Sequence, residues 1–334
     1  MTGDRTVTWD GLSLTVPPGW EPARLGLGYL MLEDASGPRL TLRWQRLKRP
    51  QEPSRVLKRL ASRKLLRPTG KPESKLRGVL SAWLDALPEA WQALPCSDAS
   101  GHGTDAVLFV IPGENLAILA APHLRPCEET SFDCATGEFV AVAPEPHPGE
   151  ATALWSRVAG SVSPAAPGDF SLYDVLGRAP AGFNLTAFTV QLGHFHFQYQ
   201  SHNGVLDYYR FAPSEVILRG KALDDWAGSV FVQTLGKTRR FEAAYFGGFP
   251  AVEFRSFRAG DGDSIARSGS LHAGRLTQAV RDLAARMFAS ARFIRAMAWR
   301  PDQSRIFAVV ARHAGDLSPE AFEEVCRRYV VQAP

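Results

Sequence analysis

The chain has 334 residues, 45% of them apolar and 22% charged, with four Cys and a formal net charge of +4. Domains usually run to ~100–200 residues, so this length and composition suit two packed cores and exclude an intrinsically disordered chain. No stretch reaches the ~18 uninterrupted apolar residues of a membrane-spanning helix, and Met1–Trp9 lacks the apolar core of a signal peptide, so a cytoplasmic protein with reduced thiols is expected.

Leu12, Leu14 and Val16 alternate with polar residues and predict a strand, ended by Pro17-Pro18-Gly19. Strands follow at about Leu27–Glu33 and Arg39–Leu47, with Asp34–Pro38 as the turn between them. Ser54 is a candidate N-cap for a helix over Arg55–Leu66, with Val56, Leu57, Leu60, Ala61 and Leu65 on one face. Strands are predicted at Lys75–Ala82, Asp105–Ile111 and Leu116–Ala121, and a helix from about Glu150 to Val162. Ser163–Gly168 is small-residue and proline-bearing, which sets domains at 1–163 and 170–334 with a linker at 164–169.

The second half repeats the plan. Ala179-Pro180-Ala181-Gly182-Phe183 echoes Val16-Pro17-Pro18-Gly19-Trp20. Strands at Thr189–Gln200 and Gly204–Phe211 precede a helix over Ala222–Leu235 and strands at Arg239–Phe246 and Ala251–Phe257. An inserted helix is predicted near 276–291, then a hairpin, Ala296–Arg300 with Arg305–Ala311. A final helix over Pro319–Val331 is capped by Ser318. The fold class is therefore α+β, with two similar halves, each a curved antiparallel sheet packed with helices.

The opening strand, the Pro-x-Gly-aromatic step and the hairpin resemble the PsbP-like and DcrB-like α+β module, here in tandem. The residues that carry the likeness are Leu14–Trp20 and, more loosely, Ala179–Phe183. That resemblance implies non-catalytic binding or adaptor roles, including chaperoning of secretion effectors. It transfers no functional residue.

The common catalytic signatures fail. There is no G-x-S-x-G and no H-E-x-x-H. Gly236-Lys237-Thr238 resembles the end of a phosphate-binding loop, but Phe231 stands where its first glycine belongs. Three constellations remain.

Cys96, His102, His123, Cys127 and Cys134 gather thiols and imidazoles that suit zinc, although the six residues between Cys127 and Cys134 fit no standard finger. The plain alternative is ordinary thiols in a loop. His194, His196, Gln198 and Gln200 share one strand face, opposite Phe195, Phe197 and Tyr199. That face reads as a solvated polar surface, or as two metal ligands awaiting a third from His202 or His272. Finally, Arg43–Arg77 holds thirteen Lys or Arg against Glu52 and Glu73, so this stretch carries +11 and the rest of the chain −7. Its helix offers Arg55, Lys58, Arg59, Arg63 and Lys64 to an acidic protein partner. A solvated helix face is the simpler reading, and nucleic acid is the lesser one, because only Trp44 is there to stack on a base. Trp83 and Trp91 bracket an apolar segment that would form an exposed contact.

Together these predict a cytoplasmic binding protein, an adaptor or chaperone-like factor without a cofactor. A zinc protein or metal-dependent enzyme built on the Cys/His cluster is the alternative, and nucleic-acid binding through 43–77 the second.

Overall fold

A computed structural model describes residues 3–62, 66–68, 77–98, 105–123, 131–133, 138–140, 148–202, 204–235, 240–257, 293–313 and 317–332. It divides into two compact units, 1–166 with 171–173, and 167–170 with 174–333. The fold is mixed α+β, with antiparallel sheets.

The first unit opens on a hairpin, β1 (Arg5–Trp9) and β2 (Leu12–Val16). Its two-residue turn is Asp10-Gly11, both at positive φ, and Trp9 pairs with Leu12. That conformation matches the right-handed twist of the flanking strands. Val7, Trp9, Leu12, Leu14 and Val16 are buried. β12 (Ser163–Pro164) extends the hairpin along β2, and Ser171 pairs with Thr8 of β1.

The main sheet of this unit contains β3 (Glu21–Gly26), β4 (Tyr29–Asp34), β5 (Gly37–Arg46), β6 (Leu66–Pro68), β7 (Gln92–Asp98), β8 (Asp105–Ile111) and β9 (Leu116–Pro122). Its order is β3-β4-β5-β9-β8-β7-β6, antiparallel throughout. α1 (Pro53–Ser62) leaves β5 and lays Val56 and Leu57 on the sheet. β6 begins at Leu66, so the helix stops short of its expected end. α2 (Arg77–Ala86) packs against α3 (Pro148–Ser161), with a small pair, β10 (Ser131–Asp133) and β11 (Glu138–Val140), between them in sequence.

α2 overturns the strand predicted at Lys75–Ala82. Leu76, Leu80 and Ala82 invite a period-two reading, but the buried set is Val79, Leu80, Ala82, Trp83 and Leu87, whose three- and four-residue spacings follow the helical period. Trp83 is fully buried beside Phe109 and Trp155, and Trp91 is half-buried, stacked on Phe109 at 5.7 Å. The expected exposed segment is core instead.

β13 (Asp169–Leu172) lies across the division in the chain, with Asp169 and Phe170 counted in the second unit. There β14 (Val175–Arg178) pairs with β22 (Val330–Val331). The main sheet consists of β15 (Asn184–Gln191), β16 (His194–Gln200), β17 (Gly204–Phe211), β18 (Glu242–Phe246), β19 (Phe249–Phe257), β20 (Phe293–Trp299) and β21 (Ile306–His313). The single strand expected over Thr189–Gln200 is thus the second part of one strand, a turn at Leu192-Gly193, and another strand. The helix expected over Ala222–Leu235 is two, α5 (Leu223–Val230) and α6 (Val232–Leu235), after a short α4 (Ser214–Leu218).

One sheet face carries these helices over Trp226, Phe231, Phe254 and Ala308. On the opposite face Phe170, Phe197, Tyr199, Tyr208 and Tyr329 form an aromatic core. The last helix, α7 (Pro319–Arg327), buries Phe322, Val325 and Cys326. Phe322 lies under the Arg295 guanidinium at 4.8 Å, and Arg295, 1% exposed, bonds Glu253 and Glu323. The expected inserted helix at 276–291 lies outside the described residues.

The second sheet has the order β15-β16-β17-β21-β20-β19-β18. Counted from its own first strand, this is the order of the first sheet, and in both the helical connection follows the third strand. In both, a Leu-Gly turn docks on the residue after or near the end of the third strand. Trp44 N donates to Gly28 O at 2.8 Å, and Ala212 N donates to Gly193 O at 2.9 Å. A β-carbon on either glycine would run into the carbonyl of that same docked residue.

Candidate functional site

The basic stretch places four exposed cations on and just before α1, Lys48, Arg49, Arg55 and Lys58. Val56 (2% exposed) and Leu57 (6%) are spent on the sheet, in a cluster with Leu47, Leu108, Val110 and Ala117. Arg55 and Lys58 therefore face outward and are exposed, while Arg59 is half-buried. Arg63 and Lys64 lie outside the described residues. Before the helix, Lys48 and Arg49 are exposed as well. Both belong to the basic stretch but precede the helical face that the periodicity singles out. Arg43 and Arg46 are drawn aside, Arg43 over the Tyr29 ring at 5.5 Å and Arg46 towards Glu114 at 3.8 Å.

Of the five candidate zinc ligands, the structure describes Cys96 and His123. His102, Cys127 and Cys134 lie outside the described residues. Cys96 is on β7, fully buried in the aliphatic cluster beneath α1. His123 follows β9, where its Nε2 shares a 2.8 Å hydrogen bond with Thr41 Oγ1, and burial lowers its pKa. β8 separates the strands that hold them. Among the described residues, no group of three or more His, Cys, Asp or Glu is disposed to hold a metal ion.

The polar strand face on β16 is the better-built constellation. Its partner across β17 is Asp207, which is 0% exposed. Asp207 Oδ1 accepts from His196 Nε2 at 2.9 Å and from Gln198 Nε2 at 3.0 Å. Its Oδ2 accepts from Arg312 Nη2 of β21 at 2.7 Å. Burial pushes the Asp207 carboxyl up, but these donors outweigh it and the pKa lies below the usual value. The imidazoles are held by rings as well. His196 stacks on Tyr209 at 4.4 Å with planes 2° apart, and His194 stacks on Phe211 at 4.9 Å. Burial, then the neighbouring His196, lowers the His194 pKa.

So the face is half-buried beside the helices, not a freely solvated one. Phe195, Phe197 and Tyr199 do pack into the core on the other side, as their alternation predicts. His202 is exposed in the turn after β16, and His272 lies outside the described residues. The groups delivered to His196 are a carboxylate and a guanidinium. The arrangement clamps three adjacent strands through a charge-assisted network, and it fixes which imidazole nitrogen faces the carboxylate.

No known protein family, curated protein or solved structure matches the chain. No helix among the described residues is long and apolar enough to cross a membrane.

Proposed function

We propose that the chain is a non-catalytic, cytoplasmic binding protein, an adaptor or chaperone-like accessory factor, that recognises an acidic protein partner through Lys48, Arg49, Arg55 and Lys58. The observation that supports this is the division of α1. Its apolar side is consumed by the sheet, which leaves Arg55 and Lys58 exposed on the other side. A basic face of this kind raises association rates and selects acidic surfaces, with an effect that salt screens.

The same reading takes the chain as two similar halves on a PsbP-like plan. The shared strand order supports it, as do the paired Leu-Gly turns and the two Pro-x-Gly-aromatic steps. In those steps Gly19 and Gly182 both sit at φ +85°, and Trp20 N and Phe183 N each donate back to the proline carbonyl three residues earlier.

Labelled poly-L-glutamate tests the basic face. Binding should weaken with salt, and reversing Arg55 and Lys58 to Glu should weaken it at least ~tenfold, about 1.4 kcal/mol, with no change in Tm. Undiminished binding in that variant would remove α1 from the reading. Preference for a DNA duplex over the polypeptide would replace the acidic protein with nucleic acid.

A further inference from the structure

The ends of a sheet expose a row of unpaired N–H and C=O groups, and proteins blunt such edges with proline, bulges, charges or short strands. Three of the four edges of the two main sheets follow this rule. β3 carries Pro22, Arg24 and a bulge between them. β6 is three residues long and ends in Pro68. β15 is broken by a bulge between Leu185 and Ala187, where Thr186 Oγ1 donates to Gln198 O at 3.2 Å.

Among the described residues β18 has neither proline, nor bulge, nor positive charge, and Glu242 at its start is its single charge. Its five residues, Glu-Ala-Ala-Tyr-Phe, pair with β19 in unbroken register and contain no proline, lysine or arginine. Glu242, Ala243 and Tyr245 are exposed, Tyr245 at 83%. The turn beyond it, Gly247-Gly248, has both residues at positive φ and is closed by the pair Phe246 and Phe249, so the strand is paired to its end.

We propose that β18 is a self-association edge, which pairs antiparallel with β18 of a second copy about a two-fold axis at Ala244. The strand's own side chains select this occupant. In that register Tyr245 of one copy lies opposite Ala243 of the other, a large exposed ring over a small exposed methyl, and this happens twice by symmetry. Glu242 falls opposite Phe246, and the two Glu242 carboxylates stand ~14 Å apart, beyond the ~8 Å screening length at physiological salt. Parallel pairing would set Glu242 beside Glu242 and Tyr245 beside Tyr245.

Five paired residues make a small contact, so the dimer should form at on the order of tens of micromolar. Sedimentation equilibrium of the full chain from about 1 to 300 μM should show the mass rise from 36.5 kDa towards twice that value. Ala243→Lys and Tyr245→Glu should each shift the midpoint at least ~tenfold, with circular dichroism and Tm unchanged because both positions are exposed. Mixing the two variants should restore association, since each introduced lysine then faces an introduced glutamate. A monomer at every concentration, a dimer indifferent to both substitutions, or variants that fail to rescue one another would each overturn the proposal. β18 and the basic face of α1 lie in different units, so neither outcome decides the acidic-partner reading.

Discussion

Tyr208 and Tyr329 pack edge to face at 5.2 Å, both with burial pushing the phenol pKa well up, yet their hydroxyls differ. Tyr208 Oη donates to Arg178 O at 2.7 Å. Tyr329 Oη is buried with no hydrogen-bond partner among the described residues. Tyr208→Phe should therefore cost about 1 kcal/mol in urea unfolding, and Tyr329→Phe should be close to neutral. The same scale governs the response to pH. His123 and His194 have pKa values lowered by burial, so the stability they contribute is full above the unfolded value, ~6.5, and is lost as pH falls towards their folded values. Asp207 is also depressed, and its contribution is full above ~3.9 and lost as pH falls further. Unfolding free energy should thus decline in two stages, below about pH 6.5 and below about pH 4. Asp207→Asn should flatten the second stage and cost roughly 3 kcal/mol at neutral pH, because Arg312 loses its counter-charge and one of the two accepting oxygens becomes a donor.

At the scale of elements, what could be read from the sequence depended on whether the signal was local. The turn at Asp34–Pro38 and the cap of α7 were legible, and Ser318 Oγ accepts from Ala321 N at 3.1 Å as its residue type and position predict. Asp10-Gly11 is an equally plain hairpin signal, but the sequence pattern predicted only its second strand, because Val7 and Trp9 before the turn are too short a run to stand out. α2 was hidden because its apolar residues satisfy both periods over a few positions, and only Trp83 and Leu87 decide between them. The His196–Asp207–Arg312 network was out of reach. Its members are 11 and 105 residues apart and meet only through strand pairing, which periodicity does not report. α2 supplies its own test. Trp83 is a fully buried anchor between α3 and the sheet, so Trp83→Ala should cost about 3–5 kcal/mol, measured by chemical denaturation.

At the scale of the whole molecule, the strongest regularity is that two sheets of seven strands are threaded in one order. The glycine turns give this regularity an energetic check. Gly28 and Gly193 both adopt positive φ, and a β-carbon at Gly193 would stand 2.6 Å from Ala212 O, with a still closer approach at Gly28 to Trp44 O. Gly28→Ala and Gly193→Ala should each destabilise the protein by on the order of 2 kcal/mol or more, whereas Gly113→Ala, at a glycine of ordinary backbone conformation with open space around it, should not. The charge imbalance is a property of this scale too. The +11 of residues 43–77 was readable as a sum, but not that Arg43 and Arg46, though exposed, are engaged by the Tyr29 ring and Glu114.

The burial of Cys326 has a practical consequence. Its thiol is enclosed by α7 and its pKa is raised far above the ordinary value by that burial, so it meets an alkylating reagent only when the helix lifts from the sheet. The rate at which the peptide carrying Cys326 gains mass in excess iodoacetamide therefore becomes a clock for that one local opening, timed separately from the unfolding of the rest of the chain. Cutting the tether, with Glu323→Gln against Arg295, should make the clock run faster without changing the reagent's chemistry.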